Sequence, residues 1–268
     1  MKIVSWNINS LRLRISLLKK FVEIANPDII CLQEIKVEDC LFPSLELISL
    51  GYNFLEYSGE KSYNGVAILA KKNLFEVKKI DVLNYGHKRH ISAIFDSMAG
   101  QIEIHNFYVP SGGDIPDSSI NNKFDHKLKF IDWMAEYFSN QSLQDKKIII
   151  VGDFNVAPLE HDVWSHRQML NVVSHTEIEI AKLQNLKQSL NFVDSHRHFV
   201  DANQKLYSWW SYRALEPLKS DRGRRIDHIW VTPNLKPYLA QTKIYRDFRL
   251  ENQPSDHVPI ETVFNFNN

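Results

Sequence analysis

Polar residues that could bind a metal ion or act on a phosphate follow apolar, strand-like runs. The run KIIIVGDFN, residues 147–155, ends on Asp153 and Asn155, and the run CLQE ends on Glu34. Successive side chains of a strand point to opposite faces, so Asp153 and Asn155 would share one side while Phe154 faces the other. Two polar groups are therefore predicted to project together from the end of a buried strand.

Further polar residues come from other strand ends. The run IVSWN ends on Asn7, RID carries Asp227, and PSDHVPI places Asp256 and His257 ahead of a strand. Each of them alone is more typical of a solvated turn. Carboxylates that come together repel unless protons or a cation neutralise them. Oxygen ligands with few nitrogens and no thiolate indicate Mg²⁺, with Mn²⁺ as a substitute, at a cluster of Glu34, Asp153, Asp227 and Asp256.

Hydrolysis of a phosphate ester is a reaction that uses such a set of groups. The metal offsets charge on the phosphate while a carboxylate positions or deprotonates water. The sequence has no Gly-rich phosphate loop, serine-hydrolase elbow, HExxH motif or paired CxxC motif. Phosphodiester or phosphomonoester hydrolysis by water, without a nucleotide cofactor, is therefore predicted.

The strands that must position these groups are short apolar runs. They read KIVSW, DIICLQ, GVAILA, HISAIF, IEIHNFYV, KIIIV, RIDHIWV and VPIETVF. Because so many runs exceed what one doubly wound sheet usually holds, we predict two packed sheets with helices outside, an α/β sandwich. No low-complexity linker, charge block or repeat divides residues 1–268, which predicts a single domain.

Segments of helical period alternate with the strands. Two apolar helical faces are predicted, one formed by Leu13, Leu17, Phe21 and Ile24 and the other by Leu128, Ile131, Ala135 and Phe138. The first helix is expected to end before the turn residues 26–28, which read Asn-Pro-Asp.

Composition is that of an ordinary soluble globule. The chain has 32 basic and 32 acidic residues and a hydrophobic share of 44%, so any nucleic-acid surface must be local. Cys31 and Cys40 are too few for a disulfide framework, and neither a signal peptide nor a run of transmembrane length is recognisable. We expect a cytoplasmic protein without a membrane partner.

A resemblance to a known family rests on seven motifs. WNINSLR, CLQEIKV, NFYVP, VGDFNVAP, LYSWWSYR, RGRRIDHIWV and PSDHVP occur in the order and at the spacings of the exonuclease III family of bacterial apurinic/apyrimidinic endonucleases. The resemblance implies a four-layered, DNase I-like α/β sandwich with two mixed β-sheets flanked by helices. It also implies a Mg²⁺-dependent monomer that incises double-stranded DNA 5′ to abasic sites and removes blocking groups or nucleotides from 3′ ends.

The matching motifs imply which residues hold the metal ion. Glu34 corresponds to the principal ligand, with Asn7 beside it and Asp256 completing the environment of the ion. The expected metal-binding set is Asn7, Glu34, Asp153, Asn155, Asp256 and His257.

The resemblance also implies catalytic roles. Asp153 would activate or orient the attacking water, and Asn155 would hold that geometry. His257, paired with Asp227, would bind a non-bridging phosphate oxygen. Tyr108 would hydrogen-bond the phosphate or stabilise the leaving oxygen.

The segment around residues 209–225 predicts a DNA surface, because aromatic residues interleaved with arginines suit an extrahelical sugar and backbone phosphates. Trp209 and Trp210 cannot both line a pocket, and Trp209 is the pocket residue by family position. Two residues depart from the family pattern: the family has an amide side chain in place of Ser111 and an apolar pocket wall in place of Arg224. The balance between abasic-site incision and 3′ exonuclease activity therefore stays open. The expected DNA-binding set is Arg89, Ser111, Trp209, Arg213, Arg224, Arg225 and His257.

Two other functions remain open. One is a phosphodiesterase of the wider superfamily that acts on a small phosphorylated molecule or a lipid head group. The tryptophan and arginine segment argues against it, as does the absence of a membrane-directed amphipathic helix. The other is a non-catalytic DNA-binding module, which would not need Asp153, Asn155 and Asp227 together.

Overall fold

Two six-stranded β-sheets form the centre of the molecule. The computed structural model describes residues 1–140, 146–214 and 216–266. The strands are β1 (Lys2–Asn7), β2 (Ile29–Gln33), β3 (Phe54–Ser58), β4 (Val66–Ala70), β5 (Phe75–Lys78), β6 (His90–Ser97), β7 (Gly100–Tyr108), β8 (Ile148–Asp153), β9 (Val193–Asp194), β10 (Asp227–Val231), β11 (Leu239–Ile244) and β12 (Ile260–Phe264).

Both sheets are mixed, as predicted. The first has the order β11-β12-β1-β2-β4-β3, and the second has the order β5-β6-β7-β8-β10-β9. Strands β1 and β2 pair in parallel, as do β7 and β8, whereas the other neighbours are antiparallel.

Helices cover the outer faces of the two sheets. The helices are α1 (Ile15–Ala25), α2 (Ser44–Ser49), α3 (Asn122–Asn140), α4 (His166–Met169), α5 (Glu177–Ser189), α6 (Ser195–Phe199) and α7 (Pro217–Ser220). Helices α1 and α2 pack on the first sheet, and α3 and α5 pack on the second. The predicted four-layered sandwich is confirmed. No helix in the described ranges is long and apolar enough to cross a membrane.

The central strands are apolar on both faces because each face meets another layer. In β2, Cys31 packs into the core between the sheets, whereas Leu32 packs beneath α1. In β8, Val151 packs between the sheets and Ile150 packs beneath α3. Continuous apolar runs are typical of strands buried on both sides, which is why these strands were predictable.

All the predicted strands are present, and the strands that the prediction missed are the sheet edges. β3 and β11 end the first sheet, and β5 and β9 end the second. Their residues are largely half-buried or exposed, as in the pattern of β5. An edge strand has one unpaired side and often one solvated face, so it carries no long apolar run.

The predicted face of the first helix needs a correction. Leu17 and Phe21 are buried, but Leu13 and Ile24 are 54% and 58% exposed. The helix begins at Ile15, and its buried face runs through Leu17, Leu18, Phe21, Val22 and Ala25. Its predicted end is confirmed, because Asn26 caps it in the left-handed conformation. The face predicted for α3 is buried throughout.

Gly152 controls the end of β8, from which Asp153 projects. Its φ is +143°, and a Cβ at this position would lie 1.9 Å from the carbonyl oxygen of Phe107. Phe107 pairs with Gly152 in the parallel ladder of β7 and β8. Only a residue without a side chain allows this close approach.

We therefore expect Gly152→Ala to lower the free energy of unfolding by roughly 3 kcal/mol or more, because a clash with backbone cannot be relieved by a rotamer change. Urea denaturation measures the loss. Gly51→Ala is the matched control, since Gly51 has φ +94° but nothing within 4 Å of the added Cβ, and it should cost about 1 kcal/mol. Equal losses in the two variants would show that the contact with Phe107 is unimportant.

Candidate active site

The predicted polar residues meet at one edge of the two sheets. Asn7 ends β1, and Glu34 directly follows β2, its parallel neighbour. In the second sheet, Asp153 pairs with Tyr108 on one side and with Asp227 on the other. Parallel strands end at the same edge, so both sheets present their polar residues to a common cleft.

Asn7 links the two sheets through its side-chain amide. Its Nδ2 donates to Oε1 of Glu34 at 2.8 Å and to Oδ2 of Asp153 at 2.9 Å. Asn7 is fully buried and Asp153 is 1% exposed, so these hydrogen bonds form away from water and gain strength. One amide nitrogen thus sets the distance between carboxylates of different sheets.

Asn155 fixes the orientation of Asp153. Its backbone N–H donates to Oδ1 of Asp153 at 2.9 Å, and its Nδ2 donates to Oδ2 at 3.1 Å and to the Val109 carbonyl at 2.9 Å. Asn155 has φ +54° and Glu34 has φ +51°. Left-handed backbone is uncommon outside glycine and asparagine, and no sequence pattern indicated it for Glu34.

His257 lies between two carboxylates. Its Nδ1 is 2.9 Å from Oδ2 of Asp227, and its Nε2 is 3.7 Å from Oδ2 of Asp153. Burial disfavours the charged imidazolium, but Asp227 and Asp153 outweigh burial and raise the pKa of His257 to about 10. The side chain is therefore a cation at neutral pH, with Nδ1–H donating to Asp227.

Burial raises the pKa of Asp153, and the nearby carboxylate of Asp227 adds to this shift while the His257 cation opposes it. Burial also raises the pKa of Tyr108 well above its usual range, with Glu34 contributing. Tyr108 is thus a neutral phenol that can donate a hydrogen bond.

The acidic end of the cleft fits a divalent cation. Ligand atoms of Asp153, Asp227 and His257 lie within 4.8 Å of one another, and Asn7 connects Glu34 to this group. The carboxylates match the oxygen-rich ligation of Mg²⁺ or Mn²⁺, and a bound metal ion would relieve their repulsion.

Asp256 lines the same cleft but has other partners. Its Oδ2 accepts from Nε1 of Trp209 at 2.9 Å, and its Oδ1 accepts from Asn9 at 3.3 Å. In this arrangement its carboxylate orients the Trp209 indole, and the expectation that it binds metal stays a prediction.

The opposite wall of the cleft is aromatic and basic. Trp209 lines it, whereas Trp210 is fully buried, as the alternation of strand faces requires. Further lining residues from the predicted DNA-binding set are Ser111, Arg213, Arg224 and His257, and Arg222 joins them.

The prediction that Arg225 contacts DNA is wrong. Arg225 is 1% exposed and forms ion pairs with Asp162 at 2.8 Å and Asp194 at 2.7 Å, and it hydrogen-bonds His228. Burial of a guanidinium requires such compensation. Arg224 and Arg225 are adjacent in an extended segment, so their side chains point to opposite sides. Arg224 lies in the cleft, and Arg225 lies in the interior.

Arg89 lies behind Tyr108. Arg89 is 5% exposed, its guanidinium lies 4.5 Å from the centroid of the Tyr108 ring, and Nη1 donates to the Tyr108 carbonyl. Arg89 therefore supports the Tyr108 ring, and its predicted contact with DNA stays a prediction.

Sequence reasoning missed Lys127, a buried residue of α3. Its Nζ donates to the carbonyls of Asn155 at 2.8 Å and Ser111 at 3.3 Å, and it pairs with Glu179. It holds two loops of the cleft together. No signal distinguished it, since the segment KFDHKLKF resembles an exposed helical surface.

Sequence reasoning also missed residues that hold His257, Asn7 and Asp227 in place. Nε1 of Trp6 donates to the carbonyl of His257 at 3.1 Å, and Oγ of Ser255 donates to the carbonyl of Asn7 at 2.7 Å. Oγ of Ser208 donates to Oδ2 of Asp227 at 2.6 Å. Trp6 lies in the motif WNINSLR and Ser255 lies in PSDHVP, so membership of these motifs was the signal that could have identified them.

The sequence model of the Endonuclease/Exonuclease/phosphatase family matches residues 4–257. The chain belongs to this family. Exodeoxyribonuclease III of Haemophilus influenzae is 32% identical over 98% of this chain and 100% of its own length. These findings confirm the predicted relationship to exonuclease III enzymes.

Two solved structures of similar sequence have the same fold. An AP endonuclease from Archaeoglobus fulgidus superposes with a TM-score of 0.90 at 30% identity, covering 99% of both chains. The 3′ phosphatase NExo from Neisseria, bound to a product DNA hairpin, gives a TM-score of 0.90 at 28% identity, again over 99% of both chains.

The buried ion pairs of Asp162 predict a pH-dependent stability. Burial favours the neutral acid, but Arg225 and Arg197 outweigh it and lower the pKa of Asp162. A lowered pKa in the folded state stabilises the protein above the unfolded pKa, about 3.9, and this contribution is lost as pH falls below it. Asp162→Asn should therefore cost about 3–5 kcal/mol at pH 7 and progressively less below about pH 4.

Urea denaturation across this pH range measures the difference between variant and wild type. Asp132→Asn is the matched control, because Asp132 pairs with Lys182 at a site where its side chain is 48% exposed, and it should cost at most about 1 kcal/mol. A small, pH-independent loss in Asp162→Asn would contradict the buried network.

Proposed function

We propose that the protein is a divalent-metal-dependent DNA-repair phosphodiesterase that incises double-stranded DNA 5′ to abasic sites. It also removes blocking groups and nucleotides from 3′ ends, and it acts as a cytoplasmic monomer. The observation that carries the proposal is one cleft in which Asp153 and His257 face a wall formed by Trp209 and arginines. Acidic groups suit phosphate hydrolysis, and the wall suits an extrahelical nucleotide.

The metal site is proposed to use Glu34, Asn7, Asp153 and Asn155, with Asp256 nearby. The expected metal contact of His257 is not part of this proposal, because the imidazolium that pairs with Asp227 has no free lone pair for a metal ion. Mg²⁺ is the proposed ion and Mn²⁺ its substitute. A bound divalent cation supplies positive charge that offsets the charge of the phosphate. Binding of the ion would also relieve the repulsion between the Asp153 and Asp227 carboxylates.

Three side chains divide the proposed chemistry. Asp153, held by Asn155, takes a proton from the attacking water. The His257 cation, held by Asp227 at 2.9 Å, binds a non-bridging phosphate oxygen through Nε2. The neutral phenol of Tyr108 donates a hydrogen bond to the phosphate or to the leaving O3′. Such preorganised charges and donors stabilise the transition state without reorganisation.

The chemistry of the wall favours DNA over a small phosphorylated molecule or lipid head group. Arg213 and Arg222 are exposed and form no ion pair with any described residue, so they are available for backbone phosphates. An indole such as that of Trp209 offers a stacking surface that a small head group does not need.

Incubation with a labelled duplex that carries one abasic site tests the proposal. We expect cleavage on the 5′ side of the site with Mg²⁺ and an intact duplex with EDTA. Asp153→Asn should slow cleavage at least about a hundredfold, because it removes the group that accepts the proton. Single-turnover rates measure this loss.

Asp114→Asn is the control for that variant, since Asp114 lines the same cleft but is exposed. Circular dichroism of both variants separates a catalytic loss from a folding loss. Near-normal cleavage by folded Asp153→Asn would remove Asp153 from the proposed role.

Trp209→Ala should weaken abasic-site incision more than removal of a 3′-phosphate. Only abasic-site incision requires the extrahelical sugar to be held against an aromatic wall. Trp209→Phe is the control, because it keeps an aromatic face but loses the pyrrole ring with its N–H donor to Asp256. Rates on the two substrates measure the effect, and equal losses on both would indicate a general defect in DNA binding.

A further inference from the structure

The carboxylate of Asp256 holds the indole of Trp209, so the groups that fix Asp256 also fix the aromatic wall of the cleft. Oδ2 of Asp256 accepts from Nε1 of Trp209 at 2.9 Å. The backbones of the same two segments are joined as well, since the N–H of Trp210 donates to the carbonyl of Asp256 at 2.9 Å. The Asp256 loop, residues 253–256, therefore helps to set the position of the wall against which the extrahelical sugar is proposed to lie.

The hydroxyl group of Tyr212 is the main support of the Asp256 loop. It donates to the carbonyl of Pro254 at 3.0 Å and accepts from the backbone N–H of Asp256 at 3.0 Å. Nδ2 of Asn9 lies 3.1 Å from this hydroxyl and 3.3 Å from Oδ1 of Asp256. One hydroxyl and one amide thus fix both the backbone and the side chain of Asp256.

Arg14 is a buried cation whose donors are directed to the same loop. It is 7% exposed, and its Nη2 donates to the Tyr212 hydroxyl at 2.9 Å and to the Pro254 carbonyl at 3.0 Å. Its Nε donates to the Gln253 carbonyl at 3.0 Å, and its Nη1 donates to the Asn9 carbonyl. Among the described residues, no carboxylate lies within ion-pair distance of its guanidinium. Because a buried guanidinium without an anion is costly, the carbonyls and the hydroxyl must compensate for its burial.

Arg249 supports the ring of Tyr212. Its guanidinium lies 5.0 Å from the centroid of that ring, and it donates to the carbonyls of Trp210 and Ser211, each at 3.2 Å. Burial lowers the pKa of Arg249, and Asp256 is the carboxylate that most opposes this shift. The charge of Asp256 therefore stabilises a buried cation of the protein at the same time as its oxygen atom orients the indole.

We propose that Tyr212 is a positioning residue for abasic-site incision, because its hydroxyl fixes Asp256 and Asp256 in turn fixes the Trp209 indole. The inference rests on the proposed incision of abasic sites. Trp209 and Asp256 line the cleft, whereas Tyr212 is not one of its lining residues, so Tyr212 acts through them. A wall that is already oriented in the free protein loses less side-chain entropy when the lesion binds. Loss of the hydroxyl therefore weakens binding of the lesion and leaves the chemical step intact.

Tyr212→Phe tests the inference, because it removes one oxygen atom and keeps the ring beside Arg249. The first measurement is the NMR resonance of the Trp209 indole N–H in the protein without DNA, assigned by its absence from Trp209→Phe. We expect this resonance to move in Tyr212→Phe, since the acceptor Asp256 loses the partner of its backbone N–H. Tyr52→Phe is the matched control and should leave the resonance in place. It also removes a hydroxyl that donates to a carbonyl, that of Pro27 at 2.9 Å, outside the cleft.

The second measurement separates binding from chemistry. In Tyr212→Phe, the Kd for an abasic duplex in EDTA should rise about tenfold, while the single-turnover rate with Mg²⁺ at saturating DNA should stay within about twofold of wild type. Trp209→Phe has no indole N–H for Asp256, so adding Tyr212→Phe to it should raise the Kd by less than about twofold. Changes at two residues that act through one contact are not additive.

An unmoved indole resonance in folded Tyr212→Phe would overturn the inference. If that variant does not fold, Asn9→Ala replaces it, since it removes the other donor to Asp256, and an unmoved resonance there would overturn the inference equally. Full additivity in the double variant would show that the Tyr212 hydroxyl contacts DNA directly, which also overturns it. A wild type that cuts the abasic duplex, with no change of affinity in Tyr212→Phe, would overturn this inference alone. A wild type that leaves the duplex intact would overturn the proposed function, and this role with it.

Discussion

The side chain of Asn7 makes the contact on which the site depends. Its amide nitrogen donates to Glu34, which follows a strand of one sheet, and to Asp153, which ends a strand of the other. Both acceptors are carboxylates that repel each other, although Glu34 also pairs with Lys36 at 2.8 Å. A single donor between them holds the edges of two sheets together and keeps the acids close enough to share a cation.

A second buried polar contact supports the same junction from within the core. Nε2 of Gln33 donates to Oδ1 of Asn106 at 2.7 Å, and Asn106 donates in turn to the carbonyls of Leu32 and Ala67 at 2.9 Å. These hydrogen bonds join β2, β4 and β7 across the interface of the sheets. Because buried polar groups lose much free energy when unpaired, they specify one alignment of the sheets where apolar packing alone would tolerate several.

Charge is divided along the cleft, although the chain has no net charge. Asp153 and Asp227 lie beside His257, and Arg213, Arg222 and Arg224 line the same cleft. The carboxylates suit a metal ion, and the arginines suit the phosphates of a polyanion.

The arginines of the segment 222–225 show how strongly local context decides a role. Arg222 is exposed and stacks on Trp164, Arg224 lines the cleft, and Arg225 is buried against Asp162 and Asp194. One sequence motif thus contributes a surface cation, a cleft cation and a structural cation. The alternation of faces along an extended chain separates the last two.

The sequence by itself determined the central strands, the order of the layers and which acidic residues lie in the cleft. Strands such as β2 and β8 are buried on both faces and must be apolar throughout, and Glu34, Asp153, Asp227 and His257 stand at their ends or in loops beside them. The edge strands were not predictable, because a strand with a solvated face and an unpaired side needs no apolar run. Only the tertiary structure decided which arginines are free, that Lys127 is buried, and that Asn155 and Glu34 adopt left-handed backbone. These properties depend on partners distant in the chain, such as Glu179 for Lys127 and Asp162 for Arg225, and no local pattern of residues encodes a partner that folding brings into place.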